Sequence, residues 1–132
     1  MNRVVARFID GHVVKGTTVD FSATRETFHI TEPIPVQGWD RTEVSVRELK
    51  ALFYVKDFDG NPQHVDKTLL DSPPPESERG IEVIFDDGEI IVGTTPRYQG
   101  MGSGFFLVPA DAQSNNERCF VVEAATWDVR FV

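Results

Sequence analysis

Apolar and polar residues alternate with a period of two in two stretches of this chain, and the stretches are copies of each other. Phe8-Ile9-Asp10-Gly11-His12-Val13-Val14-Lys15-Gly16-Thr17-Thr18 lies over Phe85-Asp86-Asp87-Gly88-Glu89-Ile90-Ile91-Val92-Gly93-Thr94-Thr95 at an offset of 77, with six of eleven positions identical. Period two predicts strands, and Asp-Gly between apolar runs predicts a hairpin closed by a two-residue type I′ loop. That register sets 85 against 90, 83 against 92 and 81 against 94. It places Phe85, Ile90, Val83, Val92 and Ile81 on one core face. In the first copy the same positions hold Phe8, Val13, Ala6, Lys15 and Val4. Lys15 is the one misfit there, tolerable if its methylenes run along apolar surface. The other hairpin face, with Val5, Ile9 and Val14 in the first copy and Ile84 and Ile91 in the second, is too apolar to leave in water.

The repeat continues past the hairpins. At the same offset Phe21 matches Tyr98, Phe28 matches Phe105 and Ile30 matches Leu107. A one-residue deletion then matches Val46 with Val122, Leu49 with Ala125, Ala51 with Trp127, Phe53 with Val129 and Val55 with Phe131. Each copy predicts a hairpin, a third strand (27–30 or 104–108), a fourth (44–46 or 119–122), a single helical turn (47–50 or 123–126) and a fifth strand (51–56 or 127–132). Ser45 and Glu48 form a weak capping box for the first of these turns. This order resembles that of small five-stranded barrels of the Sm and Src-homology-3 type. The expectation is an all-β protein of two tandem five-stranded barrels, one over residues 1–56 and one over 81–132, packed with pseudo-twofold symmetry. Residues 57–80, with Asp59-Gly60-Asn61-Pro62 and Pro73-Pro74-Pro75, read as an extended, solvated linker. A unit of about fifty residues is marginal alone, so the two are expected to cover each other's apolar backs, or a second copy of the chain is.

Composition narrows the functional classes. The chain has 132 residues, 40% hydrophobic and 26% charged, with a formal charge of -8, which disfavours nucleic acid and anionic lipid as partners. One cysteine, Cys119, forms no intramolecular disulfide, and charges interrupt the residues after Met1, so a cytoplasmic protein is expected. His12, His29 and His64 sit in separate elements without metal-ligand spacing. Asp57-Phe58-Asp59-Gly60-Asn61 carries its glycine at the wrong place for a calcium loop and reads as a polar turn. Gly100-Met101-Gly102-Ser103-Gly104 lies between strands and reads as a flexible turn, not a phosphate loop. No nucleophile motif surrounds Cys119 or any serine. No catalytic residue, metal or cofactor is expected.

Three resemblances bear on function. The stretches around Arg25-Glu26-Thr27-Phe28-His29 and Leu49-Lys50-Ala51 lack the asparagine and Arg-Gly pair with which Sm-like barrels hold RNA. Val55-Lys56-Asp57-Phe58-Asp59-Gly60-Asn61-Pro62, Phe105-Phe106-Leu107-Val108-Pro109-Ala110-Asp111 and Ser114-Asn115-Asn116-Glu117-Arg118 resemble signatures of a group of small bacterial proteins classed as a domain of unknown function, found alone or beside PilZ domains. Asn115 and Asn116, with Arg118 after them, read as a tight turn in which asparagine accepts positive φ and caps backbone groups. PilZ domains themselves bind cyclic di-GMP with an Arg-x-x-x-Arg segment and Asp-x-Ser-x-x-Gly. Arg3 and Arg7, with Asp20 and Ser22, are a partial match, with Arg25 in place of the glycine. The resulting expectation is a non-enzymatic interaction module, a bacterial signalling or regulatory accessory with a protein partner and a capacity to form homo-oligomers. A cyclic di-GMP sensor using Arg3, Arg7, Asp20 and Ser22 is the alternative.

Overall fold

Ten strands form one antiparallel sheet in the computed structural model, which describes residues 2–34, 38–97 and 102–132. The strands are β1 Asn2–Phe8, β2 Val13–Thr18, β3 Thr27–Ile34, β4 Gly38–Ser45, β5 Leu49–Val55, β6 Glu78–Phe85, β7 Ile90–Pro96, β8 Gly104–Pro109, β9 Asn116–Val122 and β10 Thr126–Phe131. Single 3₁₀ turns at Val46–Glu48 and Glu123–Ala125 precede the last strand of each half. Ser45 makes no side-chain cap on the first turn, so the expected capping box does not form. Tyr98, Gly100 and Met101, part of the expected repeat match and glycine turn, lie outside the described residues.

The hairpins differ from expectation by one residue. Phe8 N–H donates to His12 O and Gly11 N–H to Phe8 O, both at 3.0 Å, and Gly11 has φ +97°. The loop is therefore three residues long, 9–11, with glycine alone in the left-handed region. The second hairpin repeats this, with Phe85 N–H on Glu89 O and Gly88 at φ +92°. The aspartates choose this loop over type I′: Asp10 Oδ1 accepts the His12 N–H and Asp87 Oδ1 the Glu89 N–H, both at 3.0 Å. A one-residue change of register turns one strand's side chains over. Ala6 thus pairs with Val14 and Val83 with Ile91, placing Val14 and Ile91, not Val13 and Ile90, against the cores. Lys15 ceases to be a misfit: it pairs with Val5 on the opposite face and donates to Phe58 O at 2.9 Å.

The offset of 77 holds to the end of the chain, without the deletion. Phe8 pairs with Leu49 and Phe85 with Thr126; Ala6 pairs with Leu52 and Val83 with Val129; Val4 pairs with Tyr54 and Ile81 with Phe131. The structural equivalents of Leu49, Leu52 and Tyr54 are therefore Thr126, Val129 and Phe131. Even side-chain bonds are duplicated. Buried Thr18 donates to His29 O at 2.8 Å and buried Thr95 to Phe106 O at 2.6 Å, each bridging second and third strands that share only one or two paired positions.

The strand order is β10-β6-β7-β8-β9-β5-β1-β2-β3-β4, so each half repeats the order fifth-first-second-third-fourth. The expected pair of barrels related by a pseudo-twofold axis is not what the sheet shows. A twofold would pair equivalent strands, whereas here the fifth strand of the first half, β5, pairs with the fourth of the second, β9, through Ala51–Val121, Leu52–Phe120, Phe53–Cys119 and Tyr54–Arg118. The halves are joined head to tail.

This junction is apolar on both faces. Leu52, Tyr54, Phe120 and Val122 point into a first core with Val4, Ala6, Phe28 and Ile30. Ala51, Phe53, Val55, Cys119 and Val121 point into a second with Val5, Ile81, Val83 and Phe85. Each half completes the other's core, and each of these larger side chains contributes roughly 1.5–3 kcal/mol by leaving water. Lys50 adds a polar clamp, reaching Asp87 at 2.6 Å and Glu89 at 2.5 Å while its ammonium lies over the Phe85 ring. No helix among the described residues is long and apolar enough to cross a membrane.

Candidate functional site

Two regions concentrate chemistry, and the first is the segment between the halves. It is no free spacer. Asn115 grips Asp57 in both directions, accepting its N–H at 3.0 Å on Oδ1 and donating Nδ2–H to its carbonyl at 2.7 Å, as a neighbouring strand would. Lys56 N–H adds a bond to Asn115 O at 2.9 Å. Gly60, at φ +65°, lies where a Cβ would sit 3.2 Å from Asn115 Nδ2. Farther along, Asp111 Oδ2 accepts from Lys67 N–H at 3.0 Å and pairs with His64 Nε2 at 2.9 Å, while Ser114 Oγ donates to Asp66 Oδ2 at 2.7 Å. The signature turn is thus a dock for the linker. Among the described residues positive φ occurs only at glycine, so neither asparagine uses a left-handed backbone: Asn115 acts through its side chain, and Asn116 donates its N–H to Ser114 Oγ at 3.1 Å. The triple proline stays on the surface, and β6 begins at Glu78, three residues before the expected unit boundary. The aspartate-rich turn is polar as expected, with Asp57 Oδ1 accepting the Asp59 N–H at 2.8 Å.

His64, Asp66 and Asp111 bring three ligand-type atoms within 4.8 Å of one another. Sequence spacing does not reveal this group because 47 residues separate His64 from Asp111. Each of the three is engaged in the docking bonds just described, and a metal would have to displace them. The Gln113 and Lys67 N–H groups, then His64, hold the Asp111 carboxyl below its usual pKa. A carboxyl lowered in the folded state stabilises above its unfolded pKa, about 3.9, and the contribution is lost as pH falls through the lower folded value. Acid is therefore expected to undock the linker before the sheet melts. The Lys67 and Gln113 amide resonances should move together on titration below pH about 4, and Asp111→Asn should abolish that transition.

Of the residues of the cyclic di-GMP alternative, Arg7 lines a groove on the sheet, of about 340 Å³, with Lys15, Phe58, His64, Asn115 and Asn116, whereas Arg3, Asp20 and Ser22 are absent from its lining. Burial alone would push the Asp20 carboxyl up, but His29 outweighs it: the ring Nδ1 at 2.7 Å and the His29 N–H at 3.0 Å hold the group low. Asp20 is a brace between the second and third strands. Ser22 bonds locally, to Thr24. Arg118 stacks its guanidinium on Tyr54 at 4.2 Å and Phe106 at 5.0 Å, across the β5–β9 junction.

The second region is β10, one end of the sheet. It pairs with β6 on one side only. Trp127 is 70% exposed, Phe131 56% and Val132 65%, and Arg79 lies 3.7 Å from the Phe131 ring centroid. The equivalent strand β5 is buried from Ala51 to Val55 because β9 and the second core cover it. Asp128 and Arg130 stand where β5 has Ala51 and Phe53, and they pair with each other at 2.6 Å. The repeat in the sequence predicts β10 as a strand but not as an edge. At the opposite end β4 carries exposed Asp40, Arg41 and Glu43.

A model of a family of unknown function (DUF6982) matches residues 1–132. Neither the curated proteins nor the solved structures contain a match.

Proposed function

The chain belongs to this family of unknown function, and we propose that it is a non-catalytic protein-binding module that receives an extended segment along β10. The observation that carries the reading is an edge strand open on one side, with Trp127, Phe131 and Val132 exposed. A free edge presents a row of main-chain donors and acceptors, to which a partner strand adds while side-chain contacts select it. In this reading each half is an opened barrel of the Sm and Src-homology-3 type. The ensemble is a bacterial signalling or regulatory accessory working in the cytoplasm, in the company of PilZ-type modules. Buried, lone Cys119 suits a reducing compartment, and its thiol, pushed up to about 12 by burial and then by Glu89, is protonated and not a nucleophile. Lys50 bonds first, then the Glu89 N–H, hold the Asp87 carboxyl low, in a structural role.

A displayed library of random linear peptides tests the proposal directly. Selection on the purified chain is expected to enrich β-branched and aromatic sequences whose binding is lost in a Trp127→Glu/Phe131→Glu double variant. Enriched peptides that bind this variant equally well, or no enrichment, would overturn it.

A further inference from the structure

Resting on β10 as a receiving edge, we propose that the strand it receives is β4 of a second copy, so that chains join head to tail through a repeat of their own internal junction. The junction pairs a fifth strand with a fourth, β5 with β9. The two strands paired on one side only, at the ends of the sheet, are a fourth, β4, and a fifth, β10. Carrying the junction across by the offset of 77 sets Asp128 against Val44, Val129 against Glu43, Arg130 against Thr42 and Phe131 against Arg41.

The backbone is oriented for that register. Val132 N–H donates inward to Gly80 O, and Val46 N–H inward to Glu26 O. Antiparallel strands alternate the side to which their groups point. Val129 and Phe131 on β10, and Arg41 and Glu43 on β4, therefore direct their N–H and C=O groups to the open edges. These are the residues that the carried-over register places opposite each other, as two hydrogen-bonded pairs. Side chains agree as well. Arg118 on Tyr54 is the cation–aromatic contact that crosses the internal junction at 4.2 Å, and its equivalents are Arg41 and Phe131, both exposed. Asp40 falls diagonal to Arg130, within reach across a strand pair. Polar residues at the remaining positions fit an association weaker than the internal junction and reversible. Because the two surfaces differ, the contact is heterologous and builds a closed ring or an open filament, not a twofold dimer.

Sedimentation of the full chain over a concentration series, with two edge variants, tests this. Glu43→Pro and Val129→Pro each remove one outward N–H and no inward main-chain bond, Glu43→Pro also giving up the 3.7 Å contact of Glu43 with His29 Nε2; Arg41→Glu and Phe131→Glu serve if either proline variant fails to melt like the natural chain. The natural chain is expected to exceed its 14.8 kDa protomer mass as concentration rises. Each variant alone should stay a protomer, and an equal mixture of a β4 variant with a β10 variant should form a one-to-one dimer, since one intact edge of each kind remains. A natural chain that stays a protomer at millimolar concentration overturns the proposal, as does a mixture that fails to pair or a β4 variant that dimerises alone. If such a chain still binds selected peptides through Trp127 and Phe131, only the self-assembly is lost. Absence of both would remove the receiving edge itself.

Discussion

Replacing Phe120 by alanine is expected to cost about 3–5 kcal/mol and to lower the stability of both halves equally. Phe120 belongs to the second half of the sequence, yet it is fully buried in the first core. Its ring centroid lies 5.1 Å from Phe21 of the first half and 5.1 Å from Phe106 of the second. Truncation empties the space where the two halves interlock, and the strand on which it sits, β9, also holds the second core through Cys119 and Val121. Against a total stability of about 5–15 kcal/mol for a domain of this size, the loss is a large share. Urea melts followed by amide signals of β6 and β7, which report the second half, and of β2 and β3, which report the first, should shift by the same amount. A shift confined to one probe would show that the halves melt independently.

The next largest effect is expected at Gly93, and at its equivalent Gly16. At both positions the second strand crosses closely over the third. A Cβ on Gly93 would collide with Val108 O and lie 2.8 Å from Val108 C; on Gly16 it would collide with Thr31 O and lie 2.7 Å from Ile30 Cγ2. The obstacle is backbone, so no rotamer change relieves it. Gly93→Val should destabilise by about 3 kcal/mol by forcing β7 and β8 apart and breaking the Thr95 bond to Phe106 O. Gly88 offers the control. Its φ is +92° but a Cβ there meets nothing within 4 Å, so Gly88→Asn, which tolerates the left-handed region, should cost under about 1 kcal/mol. Equal losses at the two sites, measured by chemical denaturation, would contradict the crossing.

Much of the fold is legible in the residues, and the misreadings have identifiable causes. The duplicated hairpin, the third strands at Phe28 and Leu107, and the single turns before the last strands follow from period and repeat. The loop type does not follow from Asp-Gly alone, because the aspartate oxygens at Asp10 and Asp87 bond the N–H two residues on and stabilise a three-residue loop. That one-residue difference turns over the side chains of the second strand alone and makes Lys15 look out of place. The head-to-tail junction also had a signal. Ala51-Leu52-Phe53-Tyr54-Val55 is apolar without alternation, the mark of a strand buried on both faces, while Asp128 and Arg130 interrupt β10 as befits an edge. The linker dock was beyond reach, since Asp57 and Asn115 lie 58 residues apart and only folding brings their amides together.

The central claim is that neither half's core is complete without the other, and producing the halves separately tests it most directly. Residues 1–56 and residues 57–132, each purified alone, are expected to give poorly dispersed amide spectra and no cooperative melt, because Phe53 and Val55 in one piece and Phe120 and Val122 in the other lose their cover. Mixing them should restore the spectrum of the intact chain. A dispersed spectrum and a sharp melt from either piece by itself would contradict the account.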